Sequence, residues 1–120
     1  MVLVIGGKAN GKLDFVRQHL GYNNADIANA TLDDRPVLNN LQDLMLADPS
    51  SAESIFPTLL TKSVIICDEV GSGIVPIDRA ARHWREAVGR LCCRLAEQAT
   101  AVIRLQCGIA ILIKGDLTWK

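Results

Sequence analysis

The sequence predicts an α/β fold in which helices flank a mostly parallel β-sheet. Short, apolar, β-branched runs occur at residues 1–5, 64–67 and 101–106, and such runs are typical of strands buried on both faces. Helical segments separate them, which gives the alternation of a parallel sheet with crossover helices. The chain has 120 residues, 49% of them apolar, and shows no internal repeat. It is therefore predicted to form one domain over residues 1–120.

The first strand, at residues 1–5, runs into a glycine-rich loop and then a helix that ends near Gly21. The loop consists of Gly6, Gly7, Lys8, Ala9, Asn10, Gly11, Lys12 and Leu13. Its spacing is that of a phosphate-binding P-loop, except that Leu13 replaces Ser or Thr. Backbone N–H groups and the helix start would hold a phosphate, and Lys12 would reach the outer phosphates. We therefore predict a P-loop (RecA-like) fold, reduced in size; the alternative is a plain glycine turn with solvated lysines.

The middle of the chain is less regular. Residues 22–35 predict a loop with a short strand at 26–28, and residues 33–36 a turn or helix start. Apolar residues then recur at intervals of three and four from residue 37, which predicts a helix that ends before Asp48. Ser50 or Ser51 is expected to cap another helix, which Pro57 kinks or shortens.

The strand at residues 64–67 delivers Asp68 and Glu69 to its carboxyl end, where α/β sheets place ligands. A glycine loop with Gly71, Gly73 and Pro76 follows, and a long helix is predicted from residue 79 to residue 100. Its first turns carry Arg79, Arg82 and Arg85. Because basic residues there oppose the helix dipole, we expect a local anion, either a phosphate or a partner carboxylate. A strand at 101–106 and an apolar segment at 109–113 complete the chain.

The composition excludes several classes of protein. Thirteen basic residues balance thirteen acidic ones, so no net field attracts nucleic acid or an anionic membrane. Neither a signal peptide nor a membrane span is evident, and the expected location is the cytoplasm. The four cysteines, Cys67, Cys92, Cys93 and Cys107, lie on apolar positions. Buried, reduced thiols are favoured over disulfides or a zinc site.

The second half of the chain resembles the adenosylcobinamide kinase/adenosylcobinamide-phosphate guanylyltransferase family. The resemblance rests on the run from Asp68 to Pro76 (D-E-V-G-S-G-I-V-P), then Arg79, Ala81-Arg82, Trp84-Arg85-Glu86, Gly89-Arg90, Leu95-Ala96, Gly108 and Ile113-Lys114. The glycine-rich loop matches the family's pattern except at Leu13. The resemblance implies a cytoplasmic, oligomeric transferase that binds ATP or GTP with Mg²⁺ and phosphorylates a corrinoid, cobinamide, in cobalamin biosynthesis.

Three departures from the family pattern bear on activity. The family's second reaction uses a guanylylated histidine ahead of an Arg-Pro pair, but no histidine precedes Arg35-Pro36 at residues 28–34. The family's middle segment, a strand that ends in an acidic residue and the helix after it, is expected to be missing. The usual Asn before Glu69 is Asp68, so an acidic pair ends the strand. We predict that Lys12, Asp68 and Glu69 are catalytic and that Asp68 has taken over Mg²⁺ binding.

These features predict a kinase-type member of the family that has lost the guanylyltransferase step. The alternative for the acidic pair is that Glu69 fixes the glycine loop while Asp68 is a surface acid. The alternatives for the whole chain are a non-catalytic nucleotide-binding or scaffold module, and a partner subunit that completes an oligomeric site. The last would use sheet edges left uncovered by the missing strand.

Overall fold

A six-stranded β-sheet forms the centre of the structure, a computed structural model that describes residues 1–70 and 78–116. The strands are β1 (Val2–Gly6), β2 (Ile27–Asn29), β3 (Val37–Asn39), β4 (Val64–Asp68), β5 (Ala101–Gln106) and β6 (Ile109–Lys114). The helices are α1 (Lys12–His19), α2 (Leu41–Ala47), α3 (Ala52–Leu59) and α4 (Arg79–Gln98), with short 3-10 turns at Asn24–Asp26 and Pro49–Ser51. The strand order is β2-β3-β4-β1-β5-β6, and all pairs are parallel except β5–β6. The predicted α/β fold with a mostly parallel sheet is confirmed.

Helices cover both faces of this sheet. Alternate strand residues point to opposite faces, so Leu3 belongs to one core cluster and its neighbour Val4 to the other. The first cluster is completed by α2, α3 and α4, and the second by Phe15 and Val16 of α1. Continuous apolar runs in β1 and β4 are the sequence counterpart of this two-sided burial.

The prediction that a helix begins at residue 37 is wrong. Residues Val37–Asn39 form β3, and α2 begins only at Leu41, after Asn40 adopts a left-handed φ of 60°. Val37 and Leu38 are both fully buried and belong to opposite core clusters. Two consecutive apolar residues that are buried on opposite sides of a sheet are typical of a strand. Because the same residues also fit a helical spacing, the sequence pattern predicted a helix here.

The presence of β3 corrects the expectation of an uncovered edge beside β4. β3 lies between β2 and β4 in parallel register, so it covers the edge of β4. It ends in Asn39. The uncovered edge on which the partner-subunit hypothesis relied is therefore absent at this position.

The start of α3 differs from the prediction as well. Ser51 makes no side-chain cap to α3. Instead the Asp48 carboxylate accepts a hydrogen bond from the Ser50 N–H, at 3.1 Å, and caps the 3-10 turn that leads into the helix. Pro57 lies inside α3, which is only eight residues long.

The cysteine prediction holds only in part. Cys67 is buried and Cys92 half-buried, but Cys93 and Cys107 are exposed. Cys93 lies on the outer face of amphipathic α4, and Cys107 lies in the β5–β6 turn, where apolar neighbours in sequence do not imply burial. All four thiols are free. None of the helices in the described ranges combines the length and apolar character needed to cross a membrane.

Candidate functional site

The glycine-rich loop connects β1 to α1 at the carboxyl edge of the sheet. Gly6 allows close strand packing, since a Cβ there would lie 2.5 Å from the Leu105 carbonyl oxygen. Gly11 precedes α1 with a left-handed φ of 87°, a conformation that favours glycine. The loop is also held from outside, because the Asn10 carbonyl accepts a hydrogen bond from the Gly108 N–H at 3.2 Å. The β5–β6 turn thus supports the loop.

Lys12 folds back over this loop. Its side chain is 7% exposed, and its Nζ donates to the Gly7 carbonyl oxygen at 2.7 Å. The same Nζ lies 2.8 Å from Oδ1 of Asp68, whose side chain is 22% exposed. The contact arises because β1 and β4 are parallel neighbours in which Gly6 lies opposite Asp68. The structure therefore brings two of the predicted catalytic residues into direct contact.

Asp68 is anchored from the side of α2. The Asp68 backbone N–H donates to Oε1 of Gln42 at 2.9 Å, and the Gln42 carbonyl accepts from the Trp84 indole N–H at 2.8 Å. Gln42 is only 4% exposed. One buried glutamine on α2 thus ties the end of β4 to α4 and fixes the position from which Asp68 reaches Lys12.

A cleft of about 540 Å³ opens between these elements. It is lined by the loop and first turn of α1, the start of α2, the end of β4 and α4: Lys8, Ala9, Asn10, Gly11, Lys12, Leu13, Asp14, Asn39, Asn40, Gln42, Asp43, Asp68, Val70 and Trp84. Of the predicted phosphate-binding residues, those from Lys8 to Leu13 line it. Gly6 and Gly7 belong to the loop but are not part of the lining.

The opposite wall of the cleft carries amides that the sequence analysis missed. Asn29 and Asn39 lie opposite each other at the ends of β2 and β3. Nδ2 of Asn39 donates to Oδ1 of Asn29 at 3.3 Å, and Nδ2 of Asn40 donates to the same oxygen at 2.7 Å. Recognising residues 37–39 as a strand would have revealed this wall, because parallel strand ends meet at one edge.

Glu69 turns away from this cleft. Its carboxylate forms two hydrogen bonds with Arg104 of β5, at 2.7 and 3.2 Å, and its backbone N–H donates to the Gly6 carbonyl. Glu69 lines a second cavity of about 360 Å³ together with residues of α4, and Asp68 lines both this cavity and the cleft. The two acids predicted to act together therefore have different partners, Lys12 for Asp68 and Arg104 for Glu69.

The basic start of α4 lies apart from the lining of the cleft. Arg79 and Arg82 are exposed, and the half-buried Arg85 donates from Nε to the Val70 carbonyl at 2.6 Å. The Arg85 contact holds the chain that leaves β4. Gly71, Gly73 and Pro76 of the predicted signature loop lie outside the described residues.

Neither a histidine nor a cysteine supplies a nucleophile to the described part of the cleft. His19 is exposed at the end of α1 and stacks on Phe15, and His83 is exposed on α4. Cys67 lies beneath Asp68, and hydrogen bonding to Cys92 together with burial raises the pKa of the Cys67 thiol well above its usual value. Cys67 is thus held in its protonated, unreactive form.

The carboxylates in the cleft are those of Asp14, Asp43 and Asp68. Within residues 1–70 and 78–116, no three His, Cys, Asp or Glu side chains cluster as a metal site would require. Mg²⁺ commonly binds through one or two carboxylates, substrate phosphates and waters. The donor set therefore fits a metal held mainly by substrate phosphates and waters, to which one of these carboxylates would add a single ligand.

A parallel sheet with a P-loop at the carboxyl edge of β1 and an acid at the end of the neighbouring strand defines a P-loop α/β protein. Residues 27–113 match the CobU family, described as cobinamide kinase / cobinamide phosphate guanyltransferase. The chain belongs to this family. The matched range begins after the P-loop, so the loop's resemblance rests on its own spacing and geometry.

Two relatives carry the same name. The chain is 47% identical over 53 residues to the bifunctional adenosylcobalamin biosynthesis protein CobU of Salmonella typhimurium, and 45% identical over 53 residues to the protein of that name from Escherichia coli. Each match covers 44% of this chain and 29% of the relative. The chain thus matches less than a third of the length of these relatives.

Proposed function

We propose that the protein is a nucleotide-dependent kinase of cobalamin biosynthesis, which transfers the terminal phosphoryl group of ATP or GTP to adenosylcobinamide. The observation that carries the proposal is the position of Lys12, whose Nζ lies over the P-loop and at the side of a cleft of about 540 Å³. Family membership and the names of the two relatives support the choice of acceptor.

The chemistry would rely on placement and charge. The bond between the γ-phosphorus and the oxygen bridging to the β-phosphate breaks and ADP or GDP leaves, a bond from the γ-phosphorus to the acceptor hydroxyl oxygen forms, and the hydroxyl proton passes to water. Backbone N–H groups between Lys8 and Leu13 would hold the phosphates, and Lys12 would neutralise charge on the transferred group. On the far wall, the side chains of Asn39 and Asn40 offer uncharged hydrogen-bonding groups to the acceptor, while the amide of Gln42 is committed to Asp68 and Asn40.

Mg²⁺ is proposed as the cofactor, with Asp68 as its ligand from the protein. Leu13 supplies no hydroxyl, and β3 ends in the amide Asn39, which carries no charge. Asp68 is therefore the residue that would hold the metal against the substrate phosphates. When bound, the metal would supply charge neutralisation at the phosphates.

We further propose that the guanylyltransferase step is lost. The chain's histidines are His19 and His83, and neither lines the cleft. Arg35, in the Arg-Pro pair, is engaged elsewhere, since its guanidinium binds Asp33 at 2.6 Å and the Ile27 carbonyl at 3.1 Å. Without a histidine there, a phosphoramidate intermediate has no site of attachment.

A non-catalytic nucleotide-binding module is the second candidate. It is favoured by the engagement of Lys12 with Asp68 together with Leu13 in the hydroxyl position, since both reduce the machinery for metal-assisted transfer.

Transfer of labelled γ-phosphate distinguishes these two candidates. The protein is incubated with γ-labelled ATP or GTP, Mg²⁺ and adenosylcobinamide, and the corrinoid is separated and counted. A kinase labels the corrinoid, and Lys12→Met abolishes the labelling, whereas Lys8→Met, a change at an exposed lysine of the same loop, retains most of it. Nucleotide binding without labelled corrinoid identifies the module, and absence of nucleotide binding refutes both.

A further inference from the structure

We propose that Asp68 is an internal competitor for Lys12, so that this chain restrains its own phosphate site. The inference rests on the proposed function, since it assumes that nucleotide phosphates bind at the loop. It goes beyond that function by assigning Asp68 a role in setting nucleotide affinity. The residue that departs from the family pattern is thereby an affinity determinant as well as a candidate metal ligand.

The contact is strong enough to matter. Nζ of Lys12 lies 2.8 Å from Oδ1 of Asp68, and the side chains are 7% and 22% exposed. Hydrogen bonds between two charged groups are stronger than neutral ones, and partial burial reduces screening by salt. The Lys12 ammonium also donates to the Gly7 carbonyl. With three donors, it has two already committed to the protein.

The backbone of Asp68 is fixed beside the loop. Its position follows from the register of β1 and β4, in which it lies opposite Gly6, and from its backbone N–H bond to Gln42. From this position its carboxylate reaches Nζ of Lys12. An asparagine at this position, as in the family pattern, would have the same size but no charge, so it would leave Lys12 to a phosphate.

A phosphate that approaches the loop meets two obstacles. It must draw Lys12 away from Asp68, and it then lies near an unneutralised carboxylate, since like charges a few ångströms apart repel. Both effects have the same sign. Nucleotide binding in the absence of a divalent cation should therefore be weaker in this chain than in an Asp68→Asn variant.

The test is calorimetric titration of ADP, GDP and pyrophosphate into the full chain in EDTA. Asp68→Asn should bind at least one of the nucleotides about 10-fold more tightly, or better. Trp84, which lines the cleft, gives a second readout through its fluorescence in a Trp119→Phe background. In a Lys12→Met background, Asp68→Asn should increase nucleotide affinity much less, because only the repulsion between Asp68 and the phosphates is removed.

Asp43→Asn is the matched control. It removes one negative charge from an exposed residue lining the same cleft, and affinity should change by no more than about 2-fold because exposed charges are screened. Should Asp68→Asn fold poorly by circular dichroism, Asp68→Ser replaces it.

The outcomes separate the inference from the proposed function. Tighter binding by Asp68→Asn but not by Asp43→Asn supports competition for Lys12. Equal or weaker binding by Asp68→Asn, with clear binding by the unmodified chain, overturns the competition and leaves the proposed function standing. If no probe binds to any variant in EDTA, the inference is overturned, and the titration of ATP and GTP with Mg²⁺ decides the proposed function separately.

Discussion

Replacing Gln42 by leucine is expected to destabilise the protein, although the two side chains have similar size. Gln42 is 4% exposed, and its Oε1 accepts the hydrogen bond from the Asp68 backbone N–H at 2.9 Å. Its Nε2 donates to Oδ1 of Asn40 at 3.1 Å. The leucine removes both bonds while keeping the backbone carbonyl that binds Trp84, so the Asp68 N–H loses its acceptor at the end of a central strand.

The expected loss follows from the unpaired donor. A buried polar group left without a partner costs about 1–3 kcal/mol, and the bond to Asn40 adds a fraction of that. Burial of the apolar leucine offsets part of the cost. We therefore expect a decrease of about 2 kcal/mol in the free energy of unfolding, which for a chain of this size lowers Tm by roughly 8 °C.

Urea unfolding followed by circular dichroism measures this change, with a thermal scan for Tm. Gln18→Leu is the matched control, because Gln18 is an exposed glutamine of α1, and it should alter stability by less than about 0.5 kcal/mol. If Gln42→Leu is as stable as the unmodified chain, Gln42 does not hold the end of β4, and the argument for a fixed Asp68 fails.

Two further predictions concern the turn at residues 33–36. Lys62→Met should lower the free energy of unfolding by about 3 kcal/mol in a urea titration, because Lys62 is 6% exposed and its Nζ donates to the carbonyls of Asp33 and Arg35. Asp33→Asn should reduce the loss of stability that the protein shows as the pH is lowered. Hydrogen bonds from Arg35 lower the pKa of Asp33 from 3.8 to about 2, so the ionised carboxylate stabilises the fold above about pH 4, and this stability is lost as the pH falls toward 2. Tm measured from pH 5 to pH 2 should thus fall less in Asp33→Asn.

Each of these has its own control. Lys8→Met, at an exposed lysine, should leave stability within about 0.5 kcal/mol, and a Lys62→Met protein of unchanged stability would show that the two carbonyls find other partners. For Asp33, the control is Arg35→Met, which removes the hydrogen-bond donor that lowers the pKa of Asp33 and should therefore also reduce the loss of stability at acid pH. If Tm falls equally with pH in Asp33→Asn and in the unmodified chain, the lowered pKa assigned to Asp33 is contradicted.

Much of the sheet could be predicted because its long strands have distinctive patterns. β1 and β4 begin as continuous apolar runs, β5 is apolar apart from Arg104 and Gln106, and α4 has a long amphipathic period. β3 could not be found in this way, since three residues provide too short a pattern to tell a strand from a helical turn. The expectation of an uncovered sheet edge came instead from the family pattern, and it is wrong beside β4 because β3 pairs there.

The candidate site also has a part that could be predicted from the sequence and a part that could not. The P-loop spacing was visible in sequence because it is local, but the pairing of Lys12 with Asp68 depends on the register between strands more than fifty residues apart. Strand alternation also sends Asp68 to the cleft and Glu69 to Arg104. The amide wall was missed because it requires β2 and β3 to end side by side.

The central claim is that nucleotide phosphates bind the loop between β1 and α1 through Lys12. Calorimetric titration of ATP and GTP, with Mg²⁺, into the unmodified chain, Lys12→Met and Lys8→Met tests it most directly. We expect at least one nucleotide to bind the unmodified chain, with affinity reduced about 10-fold or more in Lys12→Met and much less in Lys8→Met. Equal affinity in the unmodified chain and Lys12→Met, or no binding of either nucleotide, would contradict the claim.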